Sequence, residues 1–588
     1  MNHYSRSHIL FFYFLFVAGI ALYFQSLTND IINWSDEELF SFVSAFLHGK
    51  GNLFSQARYT PVSLLWFSFQ RSFSEYGYFL FHTVSLIFHI INAALFFLLC
   101  RRKFDMKISS FLSLLFLVHP VMLESVAWVS RQSALIGAFF LLAALHAYIL
   151  FKEKGKKRYF LAAVVSVIAY FLFALPGAAI ILLIILVDYQ FTKEKIKILV
   201  KRNSLFIGIY LFFLFAYIFQ AGAVSNIIQS FSDLNISVLR FGIVRNIAEL
   251  FVPFAFPLVT DSEIFISHTS VISWLYPAIS GVIFLAAILL RRKNSLIAIS
   301  VLFFLLTAMP IVTFMTDEKT LLSNASFYLS SPSLLFLFGL FLQRIAEKIS
   351  SLKIIVIAGY AVLFAVLCSV SYVTVKRSMF WKNNETFWNA AHADDPHNQF
   401  VLLQRGNYNL DRYEIDKALV DFDTLLSYSP ENEEALVSRG LAYLRSYNYP
   451  QAINDLTAAI TFKRANFTAY YNLGITYDRI MQHDSAIAVF SRSLEFFPNS
   501  AQLLTARGNA FISAGKAVEA FADFQRAVTL DSVYTNAYRS RASASMQLGN
   551  FTAARKDFEK EIEINPRQFI PYVNLAFCSF LLDDTLSV

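Results

Sequence analysis

Three acidic residues, Asp36, Glu37 and Glu38, follow the first apolar stretch of the chain. A carboxylate at a membrane surface can act as a general base toward a hydroxyl group, or it can hold a divalent cation. The alternative is an acidic start to a loop helix, with Ser35 or Asp36 as the N-cap. The pattern therefore marks a candidate catalytic loop and leaves both interpretations open.

A second group of ionisable side chains lies between two apolar stretches and comprises His119, Glu124 and Arg131. Together they offer acid–base chemistry and a contact for a phosphate. A hairpin turned by Pro120, with Trp128 at the membrane interface, explains the same residues without any chemistry. We treat the segment as a second candidate site.

Polar residues also occur in the loop that leads to the second apolar stretch and within that stretch. Arg58 could bind a phosphate bidentately or could extend along the membrane interface. His82, His89 and Asn92 follow helical spacing and could face a polar cavity, but hydrogen bonds between helices are the favoured explanation.

The composition restricts the class of protein. The chain has 588 residues, 56% hydrophobic and only 15% charged, and it contains 64 Phe. Soluble domains are about 25% charged, and a single soluble core stops growing near 250–300 residues. The sequence therefore predicts an all-α, polytopic membrane protein. Three cysteines provide neither a disulfide framework nor a metal cluster.

Apolar stretches long enough to cross a bilayer recur through residues 1–375. We predict eleven spans, at 8–25, 79–99, 107–121, 134–151, 159–174, 177–191, 204–221, 270–290, 295–314, 327–343 and 353–375. Residues 1–375 carry a net charge of +11, and residues 376–588 carry −3. Because the basic loops fall on one side, the N-terminus is predicted to be cytoplasmic and the C-terminal part external. We expect no nucleic-acid partner.

A repeat of 34 residues runs through the C-terminal part. Small residues recur with this period, an alanine follows twelve positions later, and a large apolar residue follows the alanine by four. The series are Gly406, Gly440, Gly474, Gly508, Ala542 and Ala576; Ala418, Ala452, Ala486, Ala520 and Ala554; and Phe422, Leu456, Phe490, Phe524 and Phe558. This is the tetratricopeptide pattern, in which small residues let two helices approach closely. It predicts five full repeats and a partial sixth at 399–588, after a linker helix at 376–398, in an α-solenoid that binds a peptide or protein in its groove.

Taken together, these segments resemble the transmembrane and tetratricopeptide-repeat O-mannosyltransferase family, in its bacterial form. The segments that carry the resemblance are Asn33 to Glu37, Tyr59 to Leu64, Phe81 to Asn92, His119 to Trp128, Leu186 to Tyr189, Phe327 to Pro332 and Trp381 to Trp388. That family belongs to the C-type glycosyltransferases, membrane enzymes that take a sugar from a polyprenyl phosphate.

The resemblance implies an inverting transfer and assigns roles to residues. Asp36 would be the base, and Glu37, Glu124 and His119 would support it. The lipid phosphate of the donor would be held by Arg58, Arg131 or Lys319. No cofactor is required by this scheme, although a divalent cation at the Asp36–Glu37 pair is possible.

The chain also departs from the family pattern. Paired Asp residues are usual where Asp36 and Glu37 stand, and a second His is usual at Met122. No charged residue lies between Arg158 and Asp188. Several charged residues that relatives carry on the side of the leaving phosphate are therefore missing from this chain. Because their loss would weaken catalysis, two functions remain. One is transfer of a mannose-like hexose to a hydroxyl of a protein or envelope glycan, and the other is a non-catalytic membrane scaffold. A transporter is disfavoured because no inverted repeat is visible.

The expected location is the plasma (inner) membrane, with the repeats on the periplasmic or extracellular side, or in the lumen if the chain is eukaryotic. The expected partners are the polyprenyl-linked sugar, its protein or glycan acceptor and membrane lipid.

Overall fold

The structure is a computed structural model that describes residues 6–30, 35–47, 60–73, 78–174, 179–218, 295–308, 325–349 and 352–582. Within these ranges the regular structure is helical and contains no strand, so the all-α prediction is confirmed. The chain divides into two compact units. We call Met1–Asn398 the N-terminal unit and Gln399–Val588 the repeat unit.

The described helices of the N-terminal unit are numbered in chain order. They are α1 (Arg6–Tyr23), α2 (Ser35–Leu47), α3 (Pro61–Ser72), α4 (Phe79–Cys100), α5 (Met106–Val118), α6 (Pro120–Ala127), α7 (Gln132–Lys154), α8 (Lys157–Phe173), α9 (Ala179–Thr192), α10 (Ile196–Arg202), α11 (Ser204–Ile218), α12 (Ser295–Ala308), α13 (Ala325–Ile349), α14 (Lys353–Ser378) and α15 (Asn384–Asp394).

Ten of the predicted spans coincide with helices, and the span at 270–290 lies outside the described residues. Five apolar helical segments are long enough to cross a membrane: Arg6–Thr28, Phe79–Cys100, Val129–Lys154, Tyr328–Ile349 and Lys353–Lys382. The α5–α6 pair, bent by 52°, makes a sixth if it is one span. Helices α8, α9, α11 and α12 are shorter in the described part of the chain. The count of eleven spans therefore stays a prediction.

The repeat unit consists of antiparallel helix pairs and one further helix. They are α16 (Gln399–Asp411), α17 (Ile415–Tyr428), α18 (Glu433–Arg445), α19 (Tyr449–Phe462), α20 (Phe467–Arg479), α21 (His483–Phe496), α22 (Ala501–Ser513), α23 (Ala517–Leu530), α24 (Thr535–Gln547), α25 (Phe551–Ile564) and α26 (Ile570–Leu581). The first helix of each pair has 13 residues and the second has 14.

Close approach inside the first four pairs depends on the periodic glycines. A Cβ added to Gly508 would lie 2.4 Å from the Phe524 ring, and one added to Gly474 would lie 2.5 Å from the Phe490 ring. Both distances are too short for a real Cβ, so the aromatic ring occupies the space that a side chain would need. The predicted role of these glycines is therefore confirmed.

The segment predicted as a linker begins inside α14. A 3₁₀ turn at Met379–Lys382 follows, and then α15, whose N-terminus has a capping box between Asn383 and Thr386. The segment up to Asn398 belongs to the N-terminal unit.

Candidate functional site

The predicted site residues fall into three groups, according to how much of each the structure describes. His119, Glu124 and Arg131 are described, whereas Arg58 and Lys319 lie outside the described residues. Asp36 and Glu37 belong to the first turn of α2, although their side chains are outside the description. The geometry of the site is therefore built from the segment 119–131 and from what packs around it.

The segment starts at the bend between α5 and α6. Pro120 is the first residue of α6, where its missing N–H is not needed. His119 has the extended backbone that a residue before proline favours, with φ −74° and ψ 130°. It is almost fully buried, and its Nδ1 accepts a hydrogen bond from the Val121 N–H at 3.3 Å. In neutral form His119 then carries its ring proton on Nε2.

A buried tryptophan connects Glu124 to Arg131. The backbone N–H of Trp128 donates to the backbone carbonyl of Glu124 at 3.0 Å. The Arg131 guanidinium lies over the Trp128 ring, 4.7 Å from its centroid. Trp128 is fully buried, while Glu124 and Arg131 are partly exposed. An Arg on an indole face gains a cation–π interaction and keeps a defined direction. The segment therefore presents the acidic side chain of Glu124 and the basic side chain of Arg131 on either side of a buried tryptophan.

The segment that follows α14 reaches the same place. The centroid of the Trp381 ring lies 6.0 Å from that of the Trp128 ring and 4.7 Å from that of the Phe387 ring. The Lys382 carbonyl accepts a hydrogen bond from the Asp30 N–H at 2.8 Å. The turn at Met379–Lys382 thus contacts both the second loop and the chain that leads from α1 toward Asp36. Sequence reasoning missed this contact, for which the spacing contains no signal.

Helix α2 packs against the turn that ends at Arg131. Leu39 and Val43 of α2 are buried in one cluster with Leu64 and Phe67 of α3, and the cluster is completed by Phe81 of α4 and by Val129. The helix whose first turn contains Asp36 and Glu37 is therefore a direct neighbour of the turn that presents Arg131.

Gln132, the residue after Arg131, joins three helices. Its Oε1 accepts from Trp66 Nε1 at 2.9 Å and from Gln70 Nε2 at 2.6 Å. Its Nε2 donates to the Phe81 carbonyl at 2.9 Å and to Ser85 Oγ at 3.2 Å. Because Gln132 is completely buried, these bonds fix the start of α7 against α3 and α4. Sequence reasoning did not single out Gln132, although an uncharged polar residue at the start of an apolar span was a usable signal.

The polar residues of α4 bond to neighbouring segments. His82 Nε2 lies 3.1 Å from the Asn29 carbonyl. His89 lies 2.8 Å from the Tyr328 hydroxyl and 3.0 Å from the Leu117 carbonyl, and Asn92 donates to the Leu135 carbonyl at 3.0 Å. The favoured explanation, hydrogen bonds between helices, is confirmed for His89 and Asn92, whereas His82 bonds to the chain that follows α1.

A buried acid lies at the other end of the bundle. Asp188 of α9 is fully buried and forms ion pairs with Lys152 of α7 and, at 3.5 Å, with Arg202 of α10. Asn203 donates to the same carboxylate at 3.1 Å. The paired carboxylate connects three helices, so it is a structural acid rather than a free catalytic one.

The described residues contain no group of three or more His, Cys, Asp or Glu side chains that could hold a metal ion. Within the described segments, the site can therefore offer a partly exposed carboxylate at Glu124 and a guanidinium at Arg131, the second a suitable contact for a phosphate.

Comparison with known families bears on the repeat unit. Residues 437–501, 471–535 and 505–568 each match the tetratricopeptide repeat model. The repeat unit contains tetratricopeptide repeats. With the helix pairs and the glycine contacts described above, the match confirms the predicted class of the C-terminal part.

Two curated relatives carry the name Protein O-mannosyl-transferase TMTC3. The Homo sapiens protein is 34% identical over 94 residues, which is 16% of this chain and 10% of that protein. The Mus musculus protein is 33% identical over 101 residues, 17% of this chain and 11% of that protein. The chain thus matches about a tenth of the length of these relatives.

Similar solved structures cover about three tenths of the chain. MamA is 23% identical with a TM-score of 0.26, and it matches 28% of this chain and 95% of that one. A thermophilic tetratricopeptide-repeat protein from Thermus thermophilus is 20% identical with a TM-score of 0.27. It matches 31% of this chain and 99% of that one.

Proposed function

We propose that the chain is a membrane glycosyltransferase of the C-type class. It transfers a mannose-like hexose from a polyprenyl phosphate to a hydroxyl of a protein or envelope glycan. Its N-terminal unit spans the plasma (inner) membrane with the N-terminus in the cytoplasm. The tetratricopeptide repeats lie on the periplasmic or extracellular side and bind the acceptor or a partner protein.

The observation that carries the proposal is the packing of α2 against the turn at Val129–Arg131. It makes α2, whose first turn contains Asp36 and Glu37, a neighbour of the turn that presents Arg131. The 34% identity to a protein named as an O-mannosyl-transferase supports the mannose-like sugar.

The proposed reaction needs one base and one cationic contact. The Asp36 carboxylate takes the proton of the acceptor hydroxyl, and the oxygen attacks the anomeric carbon. The bond from that carbon to the phosphate oxygen breaks, and the lipid phosphate leaves with the electron pair. A cationic side chain at Arg58, Arg131 or Lys319 stabilises the phosphate charge, and Glu37, Glu124 and His119 support the base. The scheme requires no cofactor, and a divalent cation, if one binds, would be held by the carboxylates of Asp36 and Glu37.

The test compares the glycoproteins and glycans of the native strain by mass spectrometry with those of a deletion strain. The deletion is then complemented with the wild-type gene, with Asp36→Asn and with Asp30→Asn, the control acid on the same loop. We expect a hexose-sized mass to disappear in the deletion and to return with the wild type and with Asp30→Asn only.

Full restoration by Asp36→Asn would contradict the role of the base. No mass difference in any strain would favour the second function, a non-catalytic scaffold. That function is supported by the regular repeat array, whose partner would then be sought by capture on the full chain.

A further inference from the structure

The N-terminal unit contains an apolar cavity of about 350 Å³ that no part of the proposed reaction uses. It lies between α4, α7, α9, α12 and α13. Phe96, Leu145, Leu183 and Phe303 contribute to its wall, and all four side chains are buried. A cavity of this size and lining suits a hydrocarbon chain rather than a polar metabolite.

The cavity extends to the end of the bundle that is remote from the candidate site, where Arg102, Lys103 and Glu153 line it. Helix α7 has 23 residues and is about 34 Å long at 1.5 Å per residue. Arg131 precedes its first residue, whereas Glu153, which lines the cavity, is next to its last. The sugar and phosphate of a donor positioned at Arg131 therefore do not reach the Glu153 end of the cavity.

Two basic side chains, Arg102 and Lys103, line the same cavity. Arg102 forms an ion pair with Glu153, yet its Nε is buried and has no hydrogen-bond partner. In the described part of the chain Lys103 forms no ion pair, and its side chain is exposed. A buried N–H donor without a partner is costly, and a phosphate oxygen would satisfy it.

From this arrangement we propose that the cavity binds an anionic phospholipid. One acyl chain occupies the apolar space between α4, α7 and α12, and the phosphate contacts Arg102 and Lys103. Basic pockets between membrane helices on the cytoplasmic side are recognised sites for anionic headgroups. The predicted orientation places Arg102 and Lys103 on that side. The bound lipid would join α9, α12 and α13 to α4 and α7.

The test uses the full chain, reconstituted with equal amounts of phosphatidylglycerol and phosphatidylcholine and then extracted into detergent. Native mass spectrometry counts the lipids that remain bound. We expect one retained phosphatidylglycerol per chain. Because the choline cation cancels the phosphate charge of phosphatidylcholine, the preference for phosphatidylglycerol should be about fivefold for each protein cation at the headgroup. No retained lipid, or equal retention of the two, would overturn the proposal.

Two pairs of variants separate the acyl chain from the headgroup. Ser300→Trp fills the cavity and should abolish retention, whereas Leu161→Trp, on the exposed face of α8, should not. Lys103→Gln should reduce the preference for phosphatidylglycerol by about fivefold, whereas Lys156→Gln, exposed at the same end, should not. The surface variant Lys103→Gln decides the headgroup claim even if Ser300→Trp does not fold. Unchanged preference in Lys103→Gln would overturn that claim, as would displacement of the lipid by excess inorganic phosphate alone.

Discussion

Leu473 and Val489 occupy, in the third repeat, the two positions that an arginine and an aspartate occupy in the other four. The four pairs are Arg405–Asp421, Arg439–Asp455, Arg507–Asp523 and Arg541–Asp557, each held by two hydrogen bonds. Leu473 is buried, and Val489 packs against the same core cluster. One repeat has therefore replaced both partners of an ion pair by apolar residues.

These ion pairs also join neighbouring repeats. Arg439 donates to Asp423 of the preceding helix pair at 2.7 Å, and Arg507 donates to Ser491 at 3.1 Å. Hydrogen bonding to Asp455, the strongest influence, and to Asp423 raises the pKa of the Arg439 guanidinium above its usual value. Arg439 and Arg507 each connect three helices through these bonds.

The first prediction concerns replacement of one such pair. The double variant Arg507→Leu with Asp523→Val should change the local unfolding free energy by less than about 1 kcal/mol, because apolar replacement of a buried pair is often neutral. Asp523→Val alone should cost about 2 kcal/mol, since it leaves a partly buried guanidinium unpaired. Hydrogen exchange of α22 and α23 amides in the full chain measures both values. A double variant as unstable as the single one would contradict the prediction.

The second prediction comes from the turn inside each repeat. Tyr413, Tyr447, Met481, Gly515 and Gly549 are spaced by 34 residues, and all have φ between 60° and 75°. A side chain in this left-handed region costs about 1–2 kcal/mol, which glycine avoids. Met481→Gly should therefore stabilise the third repeat by up to about 1 kcal/mol after the greater chain entropy of glycine is subtracted.

Two matched variants control for the loss of the side chain. Met481 is 76% exposed, so Met481→Ala should have little effect because it keeps the strained backbone. Gly515→Ala should destabilise the fourth repeat by about 1 kcal/mol. Hydrogen exchange on the full chain gives each value, and equal effects of Met481→Gly and Met481→Ala would exclude backbone strain as the cause.

The repeat unit could be predicted closely from the sequence, whereas the candidate site could not. The 34-residue spacing predicts which helices pair, because Gly508 and Phe524 are close along the chain and contact each other within one repeat. The contacts that build the site join distant segments instead. Trp128 meets Trp381, and Gln132 meets Trp66, through the packing of several helices, which no local spacing encodes. The roles of Asp36, Glu37, Glu124, His119, Arg58, Arg131 and Lys319 stay predictions.

The third prediction tests the buried hydrogen bonds of Gln132. Gln132→Leu removes the acceptor of Trp66 Nε1 and of Gln70 Nε2, and each lost partner should cost about 1–3 kcal/mol. The midpoint temperature of thermal unfolding, measured on the full chain in detergent, should fall. Gln70→Leu removes one donor and leaves the bond from Trp66 in place, so its midpoint should fall less. Equal effects would mean that Gln132 does not act as a junction.

The last prediction concerns the contact between Trp381 and Trp128, which rests on the proposed function. Arg131 lies on the Trp128 ring, and Trp381 packs on that ring, so Trp381 is a positioning residue for the guanidinium. Trp381→Ala should lower the amount of transferred hexose in the complementation assay by about tenfold, since small displacements of a charged group at a reacting centre are costly. Trp381→Phe keeps an aromatic surface and should restore most of it. Tyr372→Ala, on the exposed face of α14, is the control. A second measurement is quenching of tryptophan fluorescence by acrylamide, which should be greater in Trp381→Ala than in Trp381→Phe. This difference should vanish when Trp128→Phe is added to both variants, which assigns it to Trp128. If Trp128 becomes accessible while transfer is unchanged, the contact supports only the fold, and the orientation of Arg131 must be set by other neighbours.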